Sequence, residues 1–85
     1  MPAPASTPPN QPERWRRQIG ARLRHLRQGA ELTQIDLAQR LGISRRKLIQ
    51  IETGEADLTL TEALAAAYAL GVTVQALIPE DRRRR

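Results

Sequence analysis

An all-α fold of about five helices is the prediction for this 85-residue sequence, and three observations carry it. Apolar residues recur at steps of three and four through most of the chain, the spacing of one face of an α-helix. Each such segment opens on a capping residue and closes on a glycine or proline. No stretch alternates apolar and polar residues in the manner of a half-buried strand.

The elements follow in order. MPAPASTPPNQP holds five of the six prolines and has no apolar periodicity, so residues 1–12 are expected to form an extended, disordered arm. From Glu13 onward, Trp15, Ile19, Leu23 and Leu26 form one apolar stripe with arginines on the other faces, and Gln28 with Gly29 is expected to end this first helix. Thr33 followed by Asp36 resembles a capping box with a shorter acid, which predicts a second helix from Gln34 to Leu41, stopped by Gly42. Ser44 caps a third, from Arg45 to about Thr53, ended by Gly54. Thr59 and Glu62 complete a full T-x-x-E box before a fourth, LTEALAAAYAL, which stops at Gly71. A short fifth helix is expected from Thr73 to Ile78, with Pro79 ending it. The folded domain is thus placed at residues 13–79, with a basic tail at 80–85.

Composition narrows the function. The chain has no cysteine and a single histidine, His25, so disulfides and the usual zinc ligand sets are excluded. No nucleophile and base can be assembled, so an enzyme is not expected, nor is a cofactor, a metal or a small-molecule ligand. No apolar run approaches the roughly 20 residues that span a bilayer, and the start of the chain lacks a signal-peptide pattern. A cytoplasmic protein without a membrane partner is the expectation. The net charge of +5 points to an anionic partner. Its distribution is more informative: six arginines between Arg14 and Arg27, then Arg45, Arg46 and Lys47, then Arg82 to Arg85.

The second of these clusters opens a helix. Leu37, Leu41, Ile43, Leu48 and Ile51 can share one core if the second and third helices cross steeply, with Ala38 small enough for close approach and Gly42 permitting the sharp turn. Turning Leu48 and Ile51 inward leaves Arg45, Arg46, Ile49 and Gln50 on the outer face. Such an edge fits the major groove of DNA. An arginine can bond guanine O6 and N7, a glutamine can bond adenine N6 and N7, and an isoleucine can pack on a thymine methyl.

With these residues in view, the sequence resembles the lambda-repressor-like, Cro/CI-type helix-turn-helix regulators, the XRE family. The resemblance runs from Ile19 to about Ile78 through IGARLRHLR, LTQIDLAQRLGIS, IETGE and LTEALAAAYALGV. It implies a compact five-helix DNA-binding domain with the helix-turn-helix at helices 2 and 3, and base contacts from the positions of Arg45, Arg46 and Gln50. It also implies an internal ion pair between Arg27 and Glu52, and a place for Gln34 beside the DNA backbone or behind the reading side chains. Thr33, Ser44, Lys47 and Arg40 are assigned with Gln34 to the backbone contacts. Ile35 stands where the family often has a charged residue.

A sequence-specific transcriptional repressor on a palindromic double-stranded operator is the resulting expectation, of the small kind found on phages and plasmids. It would act as a homodimer, with Val74, Leu77 and Ile78 as candidates for the contact between copies. The alternative is a DNA-binding antitoxin of a toxin-antitoxin pair.

Overall fold

The computed structural model describes residues 10–80. Four α-helices and one turn of 3-10 helix make up the domain: α1 Gln11–Gly29, α2 Gln34–Leu41, α3 Arg45–Thr53, α4 Leu60–Leu70, and the 3-10 turn Val74–Leu77. No strand occurs among the described residues. The expected arm lies outside the described residues except for its last three positions, and the basic tail except for Glu80.

Local chemistry accounts for α2, α3 and α4. Thr33 Oγ1 accepts from the Asp36 amide at 3.0 Å while Asp36 Oδ2 accepts from the Thr33 amide at 3.1 Å. Asp36 therefore closes a reciprocal capping box as fully as Glu62 does with Thr59. Ser44 Oγ accepts from the Lys47 amide and starts α3. At the end of α2, Gly42 adopts φ +72°, a left-handed conformation that a side chain would strain, and this lets the chain reverse into α3 within three residues.

Three sequence expectations need correction. First, α1 begins at Gln11, with Pro12 in its first turn, where the missing amide hydrogen costs nothing. It ends at Gly29, as expected, but the left-handed residue that closes it is Glu31 at φ +60°. The Leu32 amide then bonds back to the Arg27 carbonyl and the Glu31 amide to that of Gln28, the paired bonds of a Schellman ending.

Second, there are four helices, not five. Between Thr73 and Pro79 the chain makes i to i+3 bonds, Ala76 to Thr73 and Ile78 to Gln75, those of a 3-10 turn. Proline disfavours helical backbone in the residue before it, and Ile78 is extended at ψ 127°.

Third, Trp15 is no core residue: it is 41% exposed. The close approach that organises α1 is centred at Gly20, where an added Cβ would meet the carbonyl oxygens of Ile51 and Glu52, the latter at 2.8 Å. Trp15 lies more than a turn before that crossing.

Leu23, Leu37, Leu48, Ile51 and Leu77 are fully buried and form the core with Ala38, Ala63 and Ala66. Leu41, Ile43, Leu26 and Val74 close its edges. Leu77 is therefore unavailable to a second copy of the chain. Its complete burial inside the monomer removes it from the dimer candidates, leaving Val74 half-buried and Ile78 exposed.

Candidate nucleic-acid interface

α2 and α3 start close together. Thr33, Gln34 and Ile35 at the head of α2 line one recess with Arg45 at the head of α3 and with Arg27 of α1. Each helix N-terminus carries amide hydrogens without intrahelical partners and a partial positive charge, and Arg45 adds a full one, whereas the charge of Arg27 is compensated by Glu52. Such a recess attracts anions and suits a phosphodiester.

Behind the recess stands a buried polar cluster. Arg27 Nε donates to Glu52 Oε2 at 2.7 Å and Nη2 donates to Oε1 at 3.2 Å, while Nη1 donates to the Leu32 carbonyl at 2.9 Å. The remaining capacity of Glu52 Oε1 is used by Gln34, whose Nε2 donates to it at 3.3 Å. That bond ties α1, the head of α2 and the end of α3 together, and it orients the Gln34 amide from behind.

The α3 residues proposed to read bases divide by exposure. Arg45 and Arg46 are exposed, whereas Ile49 and Gln50 are half-buried on the following turn. Ile35 is 53% exposed and borders the recess beside Arg45, so an apolar contact point flanks the guanidinium. Thr33 and Ser44 each accept a bond inside their own caps; the Ser44 hydroxyl hydrogen is left to be donated outward, whereas that of Thr33 is shared with the Asp36 carboxylate.

Two other residues expected at the DNA backbone have neighbours on α4. Lys47 points toward α4, with Nζ 4.0 Å from Glu62 Oε2. Arg40 occupies the last turn of α2 and lines a groove with Ala65, Tyr68 and Ala69. Neither placement could be read from residue type, since both follow from which face α4 covers.

One titration has a clear cause. Hydrogen bonds from Thr33, its backbone amide foremost, hold the Asp36 carboxyl below the usual carboxylate range, with a smaller contribution from Arg40.

Residues 18–80 match the helix-turn-helix domain family. The chain is 41% identical over 54 residues to an uncharacterized helix-turn-helix-type transcriptional regulator of Methanocaldococcus jannaschii, covering 64% of this chain and 82% of that one. It is 35% identical over 63 residues to the immunity repressor protein of Bacillus phage phi105, across 74% of this chain. The match spans only 44% of that repressor's length. Among solved structures, the restriction-modification controller protein C.AhdI from Aeromonas hydrophila superposes with a TM-score of 0.69 at 32% identity, over 73% of this chain and 94% of that one. The protein therefore belongs to the helix-turn-helix domain family, in its XRE-like branch of DNA-binding transcriptional regulators. No helix among the described residues is long and apolar enough to cross a membrane.

Proposed function

We propose that this chain is a sequence-specific transcriptional repressor that binds a palindromic double-stranded operator as a homodimer and needs no catalytic chemistry. The observation that carries the reading is the meeting of two helix N-termini with Arg45 at one recess, next to the exposed Arg46. With a phosphate held there by Gln34, Thr33 and Ser44, α3 lies along the major groove. Arg45, Arg46 and Gln50 then meet base edges, and Ile49 and Ile35 meet thymine methyl groups. A second copy supplies the other half-site about one helical turn away, and the bound pair blocks access to a promoter. Similarity to a phage immunity repressor supports repression as the direction of control.

Selection of bound duplexes from a random pool tests this directly. A palindromic consensus is expected. Recovery of a single ungapped half-site would remove the homodimer, and recovery of no consensus would remove sequence-specific reading.

A further inference from the structure

Three of the four large apolar side chains of α4 face outward, the exception being Leu70 at its end, which packs against the core. The buried face of α4 is made of Ala63, Ala66 and Ala67, while Leu60, Leu64 and Tyr68 are 71%, 54% and 91% exposed. Each step of four residues turns a helix by about 40°, so these three form one continuous stripe. Single exposed leucines are ordinary on a protein surface, but three large apolar residues in register on one helix mark a contact surface.

We infer that this stripe is where two copies of the chain meet, helix against helix and antiparallel, about a two-fold axis passing near Leu64. The inference rests on the homodimeric reading above and gives it a surface. The stripe is symmetric about its centre, so Leu60 of one copy meets Tyr68 of the other while Leu64 meets its own counterpart, as an isologous contact requires.

Charge selects the same occupant. α1 carries six arginines, α2 carries Arg40 and α3 carries Arg45, Arg46 and Lys47, but α4 has no cation. Its single acid, Glu62, accepts from the Thr59 amide and faces Lys47. DNA phosphates find nothing to bind on this stripe, whereas two chains of net charge +5 can meet there with little apposed charge. Arg40 borders the stripe at Tyr68.

One short helix pair lies at the small end of specific interfaces. Association is accordingly weak in free solution and becomes strong when both copies share one operator.

The absence of cysteine makes a clean test possible, because a thiol placed in the full 85-residue chain is unique. Under mild oxidation, Leu64→Cys is expected to form linked dimers about tenfold faster than Ile78→Cys, since a disulfide needs Cα atoms within about 7 Å of each other. In sedimentation over a concentration series, Leu64→Glu is expected to lower the dimer association constant at least about tenfold. Its melting temperature should stay unchanged, because the side chain is not part of the core. If the wild-type chain dimerises and Leu64→Glu dimerises equally well, or if Ile78→Cys links faster, the stripe is not the contact and the dimeric repressor stands. If the wild-type chain stays monomeric at every concentration and Leu64→Cys links no faster than Ile78→Cys, the inference and the dimeric reading fall together.

Discussion

Arg27 and Glu52 are joined by a two-pronged hydrogen bond, Nε to Oε2 at 2.7 Å and Nη2 to Oε1 at 3.2 Å, with the residues only 8% and 7% exposed. The pair holds α1 against α3, and through Gln34 it also reaches the head of α2. Removing one partner of a buried pair leaves the other charge without compensation, at a cost of roughly 3 to 5 kcal/mol. Arg27→Ala also strips the Leu32 carbonyl of its donor. Urea unfolding of Arg27→Ala should therefore show a loss of that size, whereas replacing both residues with apolar ones, Arg27→Met with Glu52→Leu, should recover most of it. Equal losses in the single and double variants would mean that packing, not charge, dominates the site.

Gly20 makes a prediction of unusual sign. In an exposed helix interior, glycine to alanine gains about 1 kcal/mol. Here the new methyl group would strike the α3 backbone at Ile51 and Glu52, so Gly20→Ala should destabilise the fold by roughly 1 to 3 kcal/mol. Thermal melting followed by circular dichroism decides between the two signs.

On the reading edge, Arg45→Ala, Arg46→Ala and Gln50→Ala should each weaken binding to the selected site by roughly 1 to 3 kcal/mol while leaving affinity for random duplex nearly unchanged. A uniform loss on both duplexes, with a salt slope smaller by about 1, would instead make the residue a phosphate contact. Lys47→Ala should change affinity less than Arg46→Ala does, because its ammonium is directed to Glu62.

Asp36 gives the head of α2 a pH dependence. Its carboxyl titrates lower in the folded chain than when unfolded, so the capping contribution is complete above the ordinary carboxylate pKa of about 3.9. It is lost as pH falls through the lower folded value. Asp36→Asn should flatten this part of the acid-unfolding curve. An unaltered curve would show that Thr33 caps α2 without help from the carboxylate.

Much of this architecture was legible in the residues. The bounds of α2, α3 and α4 follow from Thr33, Ser44 and Thr59 as caps and from Gly42, Gly54 and Gly71 as left-handed stops. α1 escaped the same reasoning at its start, because a proline is tolerated in a first turn; its end fell at Gly29 as expected, although Glu31 takes the conformation expected of a glycine. Within the interface, the exposed start of α3 was readable from its apolar spacing. The turning of Lys47 toward α4 and of Arg40 toward Tyr68 was not. α4 held an unread signal: a segment polar only at Thr61 and Glu62 cannot bury all its apolar side chains in a small domain.

What the sequence determined by itself is the set of local decisions: where helices start and stop, and which residues follow one another along each face. These depend on hydrogen bonds and dihedral preferences that reach no more than four or five residues. The tertiary structure alone decided that Leu77 is interior and Trp15 is not, that Gln34 is tied to Glu52, and that Leu60, Leu64 and Tyr68 of α4 face solvent. Those outcomes turn on where α1 crosses α3 at Gly20 and on which side of α4 meets α2. Burial and contact between distant segments are set by such crossings, and no short-range preference encodes them.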